Sequence, residues 1–396
     1  MKRIIFILIG FLILSVACQD EFVEPENDVS VVTKSAIVIP DGLTEGTVIT
    51  TQFYSPSLEG NLLGDPALRN VNIYLPQSYF SCPDKRFPVI YYLHGIPASE
   101  NALLTPVPYM ILEQIALLQA PVDFPQEGFT QWINNLMNSG EVKEAIIVMP
   151  DASTKYGHSG YANSPVQGSY EDYIVQDLVP FIDENLRTIA HFNWRAVVGH
   201  SAGGAGALKL GMKYPHVFRH VAASSPGMGG SAGILFMAPY MLWEKDLWDG
   251  TLLPTTPYNP MQPYKFVTNT IYSTAAAKLP NPDNPPLYVD LPFTFSATGE
   301  VIPNEALMQK LDAQSLFALS ATYQLGLKKL KTIFIDVGSN DDLLAYEPNV
   351  YYHNYLTQLK IKHEFEIHDG THFSHLFASL GKALGKVTYA FPDHDD

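Results

Sequence analysis

A serine between two glycines, Gly199-His200-Ser201-Ala202-Gly203, stands where the apolar run 195–198 gives way to small helix-forming residues. A G-x-S-x-G pattern at a strand-to-helix junction suits nucleophilic chemistry: a sharp turn lifts the hydroxyl above a sheet, and the glycines leave room for neighbouring backbone. The hydroxyl alone is a weak nucleophile and needs a base, itself oriented by an acid, in the chain order Ser, acid, His. After the apolar run 332–337 comes Gly338-Ser339-Asn340-Asp341-Asp342, which puts a carboxylate at the end of a strand. Asp341 is the chosen acid and Asp342 its competitor. After the run 364–367 come His368, His372 and His375, of which His372, behind Gly370-Thr371, is best placed to fold back over Ser201. His368 ends a strand and His375 starts a helix, so both read as structural.

The charge that develops on an attacked carbonyl needs backbone N–H donors. Ala202, directly after the serine, supplies one. The other should come from His94-Gly95-Ile96-Pro97, where Ile96 can donate and Pro97 cannot. His94 and His200 have no carboxylate or cysteine at metal-ligand spacing, so neither a metal nor another cofactor is expected. A second match, Gly229-Gly230-Ser231-Ala232-Gly233, is a decoy: Pro226 and Gly227 separate it from the preceding apolar run, and Pro239 should end any helix after it.

The elements that must hold these residues alternate. Residues 71–75 read as an antiparallel edge strand, and 89–93 and 145–149 as buried parallel strands, with a helical region carrying Met110, Ile111 and Ile115 between them. A helix over 170–186 contains the irregularity of Pro180; 221–223, 332–337 and 364–367 are further strands. Alternation of this kind predicts an α/β fold with a mostly parallel central sheet and helices on both faces. Residues 226–303, rich in proline, glycine and aromatics, break the rhythm and read as a large insertion after the sixth strand, either a lid or a packed decoration.

Composition agrees with a globular protein. With 396 residues and 46% hydrophobic content the chain can bury a large core, and 16% charged residues is too few for a disordered chain. A net charge of −16, with no basic cluster, argues against nucleic acid as a partner. At the start, Met1-Lys2-Arg3 precedes an apolar run over 4–14, too short to span a bilayer, and Ser15-Val16-Ala17-Cys18 follows. This resembles a bacterial lipoprotein signal (1–18), with Cys18 the lipidated residue, then an acidic tether (19–45) and the enzyme domain (46–390). The expectation is an exported lipoprotein of the outer membrane or cell surface, touching the membrane only through that anchor. Cys82 is the one other cysteine, so no internal disulfide framework can form.

From about 50 to 384 the chain resembles the esterase branch of the α/β-hydrolases, which includes esterase D, enterobactin esterases and the feruloyl and acetylxylan esterases of carbohydrate esterase family 1. The markers are 71–76, Tyr91-Tyr92-Leu93-His94-Gly95, Val148-Met149-Pro150-Asp151, Tyr170-Glu171-Asp172-Tyr173, the Ser201 motif, Gly338-Ser339-Asn340-Asp341 and Gly370-Thr371-His372. The resemblance implies an α/β-hydrolase fold and a serine esterase, with Ser201, Asp341 and His372 catalytic. It also implies that Tyr161, Asn163 and Ser164 line the cleft, loop packing being the alternative. Ala202 stands where the family often has Met, which is harmless because only its backbone acts. An ester substrate is implied, an acylated plant glycan by analogy with surface lipoproteins of polysaccharide-degrading bacteria. A small soluble or siderophore ester, acyl transfer to a sugar, and a non-catalytic glycan-binding role are the competing readings.

Overall fold

A computed structural model describes residues 36–96, 98–107, 109–110, 119–259 and 265–393. Cys18, the signal segment, most of the tether and the helical positions Ile111 and Ile115 lie outside the described residues.

Eight strands form the central sheet: β1 (Thr47–Tyr54), β2 (Leu68–Leu75), β3 (Val89–Leu93), β4 (Ile146–Pro150), β5 (Arg195–His200), β6 (His220–Ser224), β7 (Thr332–Gly338) and β8 (Glu364–His368). Their spatial order is β1-β2-β4-β3-β5-β6-β7-β8. β1 and β2 pair antiparallel, as do β2 and β4; every pairing from β4 through β3 to β8 is parallel. The run 71–75 is therefore antiparallel as expected, but it is not the edge. Thr47–Tyr54 takes that place, half-exposed and rich in threonine, with too weak an apolar alternation to stand out.

The inner parallel strands β3 and β4 are buried on both faces, which is why they read as unbroken apolar runs. Side chains alternate across the sheet. Ile90, Tyr92, Ala196, Val198, Ala222 and Phe334 share one core with α1 (Gly128–Ser139) and the C-terminal helix Leu376–Ala390. Tyr91, Leu93, Val197, Val221, Ala223 and Ile335 share the other with α2 (Ala202–Lys213). Full burial of each such aliphatic side chain is worth ~1.5–3 kcal/mol relative to exposure, so a register slip in these strands is heavily penalised.

Between β4 and β5 the chain is helical from Tyr170 to Asn185, but Tyr173–Leu178 is a π turn in which the Val179 N–H donates to the Ile174 carbonyl. Pro180 has no N–H to offer the preceding turn, so the irregularity expected there is a local change of pitch and not a break.

The segment after β6 does not rejoin the sheet until Thr332. It carries α3 (Ser231–Leu247) and α4 (Phe266–Lys278) packed together, and a short ribbon of Phe293–Phe295 with Val301–Pro303. Glu244 of α3 is buried; its carboxylate accepts the Val267 and Thr268 N–H groups at the start of α4 (2.7 and 2.8 Å), and burial still raises its pKa. The next helix, Glu305–Asp312, returns to α3, where Asp312 accepts from the Ser231 N–H and hydroxyl. The insertion is thus packed into the domain and continues past residue 303. Contrary to expectation, α3 runs through Pro239, which is exposed, so that the missing hydrogen bond falls on the solvent side.

Candidate active site

The parallel register sets the site. Leu93 pairs with Gly199, His200 with Ser224, and Gly338 with His368, so the loops leaving β3, β5, β6, β7 and β8 emerge along one edge of the sheet. Such an edge, beyond the carboxyl ends of the strands, is where open α/β sheets bind ligands.

At its centre Ser201 adopts φ 57° and ψ −122°, a conformation non-glycine residues avoid, at a cost of about 1–3 kcal/mol. Three backbone bonds hold it there: its N–H donates to the Ser224 carbonyl (2.9 Å), and its carbonyl accepts from Ala205 (3.0 Å) and Gly227 (3.3 Å). Close approach explains the glycines. A Cβ on Gly199 would lie 2.3 Å from the Gly203 carbonyl oxygen, and one on Gly203 would lie 1.9 Å from that of Leu93. Ala202 is the first residue of α2, so its N–H has no acceptor within the helix and lies at the positive end of the helix dipole. The decoy differs: Ser231 sits inside the start of α3, is bonded to Asp312, and is separated from β6 by residues 225–230.

The loops after β7 and β8 interlace. Ser339 N–H donates to the His368 carbonyl (2.7 Å), Asn340 N–H to that of Gly370 (3.1 Å), and the Asn340 amide to that of Asp369 (2.7 Å). This brings Asp341 Oδ2 to 2.8 Å from His372 Nδ1, both side chains almost wholly buried. Asp341 Oδ1 accepts the Leu343 and Ala345 N–H groups (3.0 and 3.1 Å). Burial pushes the Asp341 carboxyl up, but His372 and these N–H groups outweigh it and hold the pKa below the usual carboxylate value. An ionised Asp341 makes Nδ1 the protonated nitrogen, which leaves the Nε2 lone pair free. Nε2 is buried with no hydrogen-bond partner, so Ser201 Oγ is not bonded to it.

Asp342 does something else. Its Oδ1 accepts the His372 backbone N–H (3.2 Å) and its Oδ2 that of Gln119 (2.8 Å), so it braces the loop without touching the imidazole. His200 braces the other side: Nε2 lies 2.8 Å from the His372 carbonyl, and burial, with His372 alongside, pushes its pKa down to about 3. His368 and His375 stack on each other with ring centroids 4.7 Å apart, and His368 Nδ1 accepts the Gly370 N–H.

Gly95 abuts the serine, since a Cβ there would lie 2.9 Å from Ser201 Cβ, and Ile96 is the next residue. The three residues implied for the cleft are taken up internally. Tyr161 is fully buried with its hydroxyl on the His94 carbonyl (2.8 Å), and Ser164 Oγ is buried on the Ala276 carbonyl of α4. Asn163 is exposed, and its Oδ1 caps the Glu171 and Asp172 N–H groups (3.0 and 3.2 Å). None of them is directed by its own bonds toward Ser201, and loop packing is the role their contacts describe. Sequence reading did not single out His158, whose Nε2 lies 3.3 Å from the His94 carbonyl; no spacing pattern marks it.

Comparison with known proteins agrees with this architecture. The curated relatives include the esterase Rv1288 of Mycobacterium tuberculosis, 26% identical over 235 residues, covering 54% of this chain and 44% of that protein. An endo-1,4-beta-xylanase/feruloyl esterase of Xylanibacter ruminicola is 26% identical over 164 residues, covering 40% of this chain and 20% of that protein. The chain therefore spans less than half the length of these relatives. Among solved structures, a ferulic acid esterase superposes with a TM-score of 0.55 at 20% identity, over 88% of this chain and 100% of the other. S-formylglutathione hydrolase (FrmB) from Staphylococcus aureus does so with 0.51 at 17%, again over 88% and 100%. These likenesses carry the α/β-hydrolase fold. The profile of the family described as "Putative esterase" matches residues 66–383, from β2 to the C-terminal helix and so across the whole candidate site, and the chain belongs to that esterase family.

Proposed function

We propose that the chain is a serine carboxylic-ester hydrolase in which Ser201, His372 and Asp341 carry the reaction. The observation that supports this most directly is the state of His372: Nδ1 is on an ionised carboxylate, and Nε2 is buried and unpartnered at the edge that presents Ser201. An imidazole so held has one free lone pair and a use for it. His372 Nε2 takes the Ser201 proton as Oγ bonds to the ester carbonyl carbon. The resulting oxyanion is held by the Ala202 and Ile96 N–H groups, and Asp341 stabilises the imidazolium. The tetrahedral intermediate collapses by breaking the bond to the alcohol oxygen, which takes the proton from Nε2. Water then attacks the acyl-enzyme with the same histidine as base, releasing the acid and restoring the serine.

The favoured substrates are acetyl or feruloyl esters of plant-type polysaccharides, a reading that leans on the feruloyl and ferulic acid esterases among the similar proteins. The test compares wild type with Ser201→Ala on p-nitrophenyl acetate and methyl ferulate. Turnover should fall on the order of 10⁶-fold in the variant, the magnitude seen when a triad serine is removed. A folded wild type without Ser201-dependent turnover on either ester, or on feruloylated or acetylated xylan, refutes the proposal. Display at the outer membrane through lipidation of Cys18 belongs to the same reading; Cys18→Ser should abolish incorporation of a fatty-acid label, and continued labelling would refute it.

A further inference from the structure

The least expected feature of the site is how the turn beside Ser201 is held. Two peptide planes decide where the Ile96 N–H points, and side chains grip both, the Gly95 carbonyl also accepting the Ala98 N–H at 3.2 Å. The first plane joins His94 to Gly95. Its carbonyl oxygen, on His94, accepts from the Tyr161 hydroxyl at 2.8 Å and faces His158 Nε2 at 3.3 Å. His158 Nδ1 accepts the Gly160 N–H (2.8 Å), so the ring's proton is on Nε2 and is donated to that carbonyl. Burial, with His94 nearby, pushes the His158 pKa down to about 3.

The second plane joins Gly95 to Ile96. Its carbonyl oxygen, on Gly95, lies 2.9 Å from His94 Nδ1. The tautomer follows from the other ring nitrogen: the Ala152 N–H donates to Nε2 at 3.0 Å, so Nε2 is unprotonated and Nδ1 is the donor. Burial lowers the pKa of this ring, which keeps it neutral. Across a trans peptide the C=O and N–H bonds point in opposite directions. Holding the Gly95 carbonyl therefore aims the Ile96 N–H.

Behind the grip stands a partly buried lysine. Lys209 of α2 donates to the carbonyls of Gly160 and Tyr161, and the Tyr161 ring fills the space left by Gly206, where a Cβ would lie 2.4 Å away. Since α2 also carries Ala202, both proposed oxyanion donors are referred to one rigid element.

We propose that His94 is a positioning residue for the oxyanion donor Ile96, with Tyr161 and His158 holding the preceding peptide; this rests on the esterase reading above. The His94 Nδ1–H holds the Gly95 carbonyl so that the Ile96 N–H meets charge that exists only in the transition state. The role should therefore be visible in kcat and absent from KM.

The test uses His94→Leu, which removes the donor, His94→Asn, whose side-chain amide can return an N–H near the Nδ1 position, and Tyr161→Phe, which removes only a hydroxyl. On the ester that wild type turns over in a Ser201-dependent manner, His94→Leu should lower kcat ~10²-fold, the order seen when one oxyanion donor is lost, with KM within about twofold. His94→Asn should recover a substantial part of that loss, and Tyr161→Phe should show a smaller loss of the same kind. Affinity for a boronic acid that forms an anionic tetrahedral adduct on Ser201 should fall in step with kcat. Wild-type kcat in His94→Leu overturns the role. So does a rise in KM at constant kcat, or a loss in His94→Asn equal to that in His94→Leu, because a merely structural histidine would behave in one of those ways. If His94→Leu does not fold, Tyr161→Phe decides alone: an unchanged kcat and boronate affinity overturn the grip. A wild type lacking Ser201-dependent turnover is a separate result that removes the esterase reading itself.

Discussion

Two glycines occupy the same place in two copies of one motif, and the substitution Gly→Ala should act on them with opposite sign. In Gly203→Ala the new Cβ would stand 1.9 Å from the Leu93 carbonyl oxygen, 2.5 Å from its carbon and 2.7 Å from the His94 carbonyl oxygen. All three are backbone atoms of β3 and the turn after it, so no side chain can swing aside. A carbon needs about 3.0 Å, and the elbow and β3 must therefore part by roughly 1.1 Å. That parting lies between Ser201 with Ala202 on one side and Gly95 with Ile96 on the other. A misplacement of ~1 Å in a reacting constellation costs ~10²-fold, and overpacking of this kind costs ~1–3 kcal/mol of stability. In Gly233→Ala of the decoy the Cβ meets nothing within 4 Å, and the residue lies in α3, where alanine is favoured over glycine by up to ~1 kcal/mol. Steady-state ester hydrolysis and urea unfolding of the two variants should show the first slow and destabilised, the second fully active and no less stable. A Gly203→Ala protein with wild-type kcat/KM and stability would refute the account of how the elbow is built.

Asp341→Asn should lower kcat on the order of 10⁴-fold by leaving the imidazole in the wrong tautomer, whereas Asp342→Asn, which gives up one of two acceptors for the His372 and Gln119 N–H groups, should cost about tenfold or less; equal losses would refute the choice of Asp341 over Asp342. Stability should fall as pH is lowered from 6.5 to 4. Burial depresses His94, His158, His200 and His220, the last three to between about 3 and 4, so the unfolded chain takes up protons there that the folded chain refuses. Asp65 and Asp336, raised to about 6 by burial, act in the opposite sense between 3.8 and 6. His353 and His368 are depressed as well, and Asp123 and Glu244 raised, so among the described residues six rings stand against four raised carboxylates, at about 1.4 kcal/mol per pH unit for each net proton; unfolding free energies that stay flat or rise on acidification would contradict this. Glu244→Ala should strip the start of α4 of its acceptor and destabilise the insertion by ~1–3 kcal/mol, read as faster amide exchange in α4 than in β5; unchanged exchange would show that packing alone holds the two helices.

Much of the site was legible because its parts have local signatures. A nucleophile elbow needs small residues at fixed offsets around a serine, and an acid or a base at a strand end needs an apolar run before it. Those requirements are met within five or six residues, so Ser201 and His372 could be proposed from their neighbours and the acid narrowed to Asp341 or Asp342. Cleft-lining residues have no such local rule. Tyr161, Asn163 and Ser164 carry polar groups suited to a substrate, but which way each one faces depends on contacts with His94, Glu171 and Ala276, the last more than a hundred residues away.

By itself, then, the sequence determined the fold class, the order of the chemical residues and the tight backbone approaches that demand Gly199 and Gly203, because apolar periodicity and glycine placement are short-range properties. Tertiary structure decided what depends on two distant segments meeting. It separated Asp341 from Asp342, since only the interlaced loops after β7 and β8 determine which carboxylate reaches an imidazole. It put Thr47–Tyr54 at the sheet edge, because edge position is a matter of partners and not of pattern. It also turned His94, His158 and Tyr161 into a grip on one turn, a function that exists only where the ends of β3 and β4 and the flank of α2 converge.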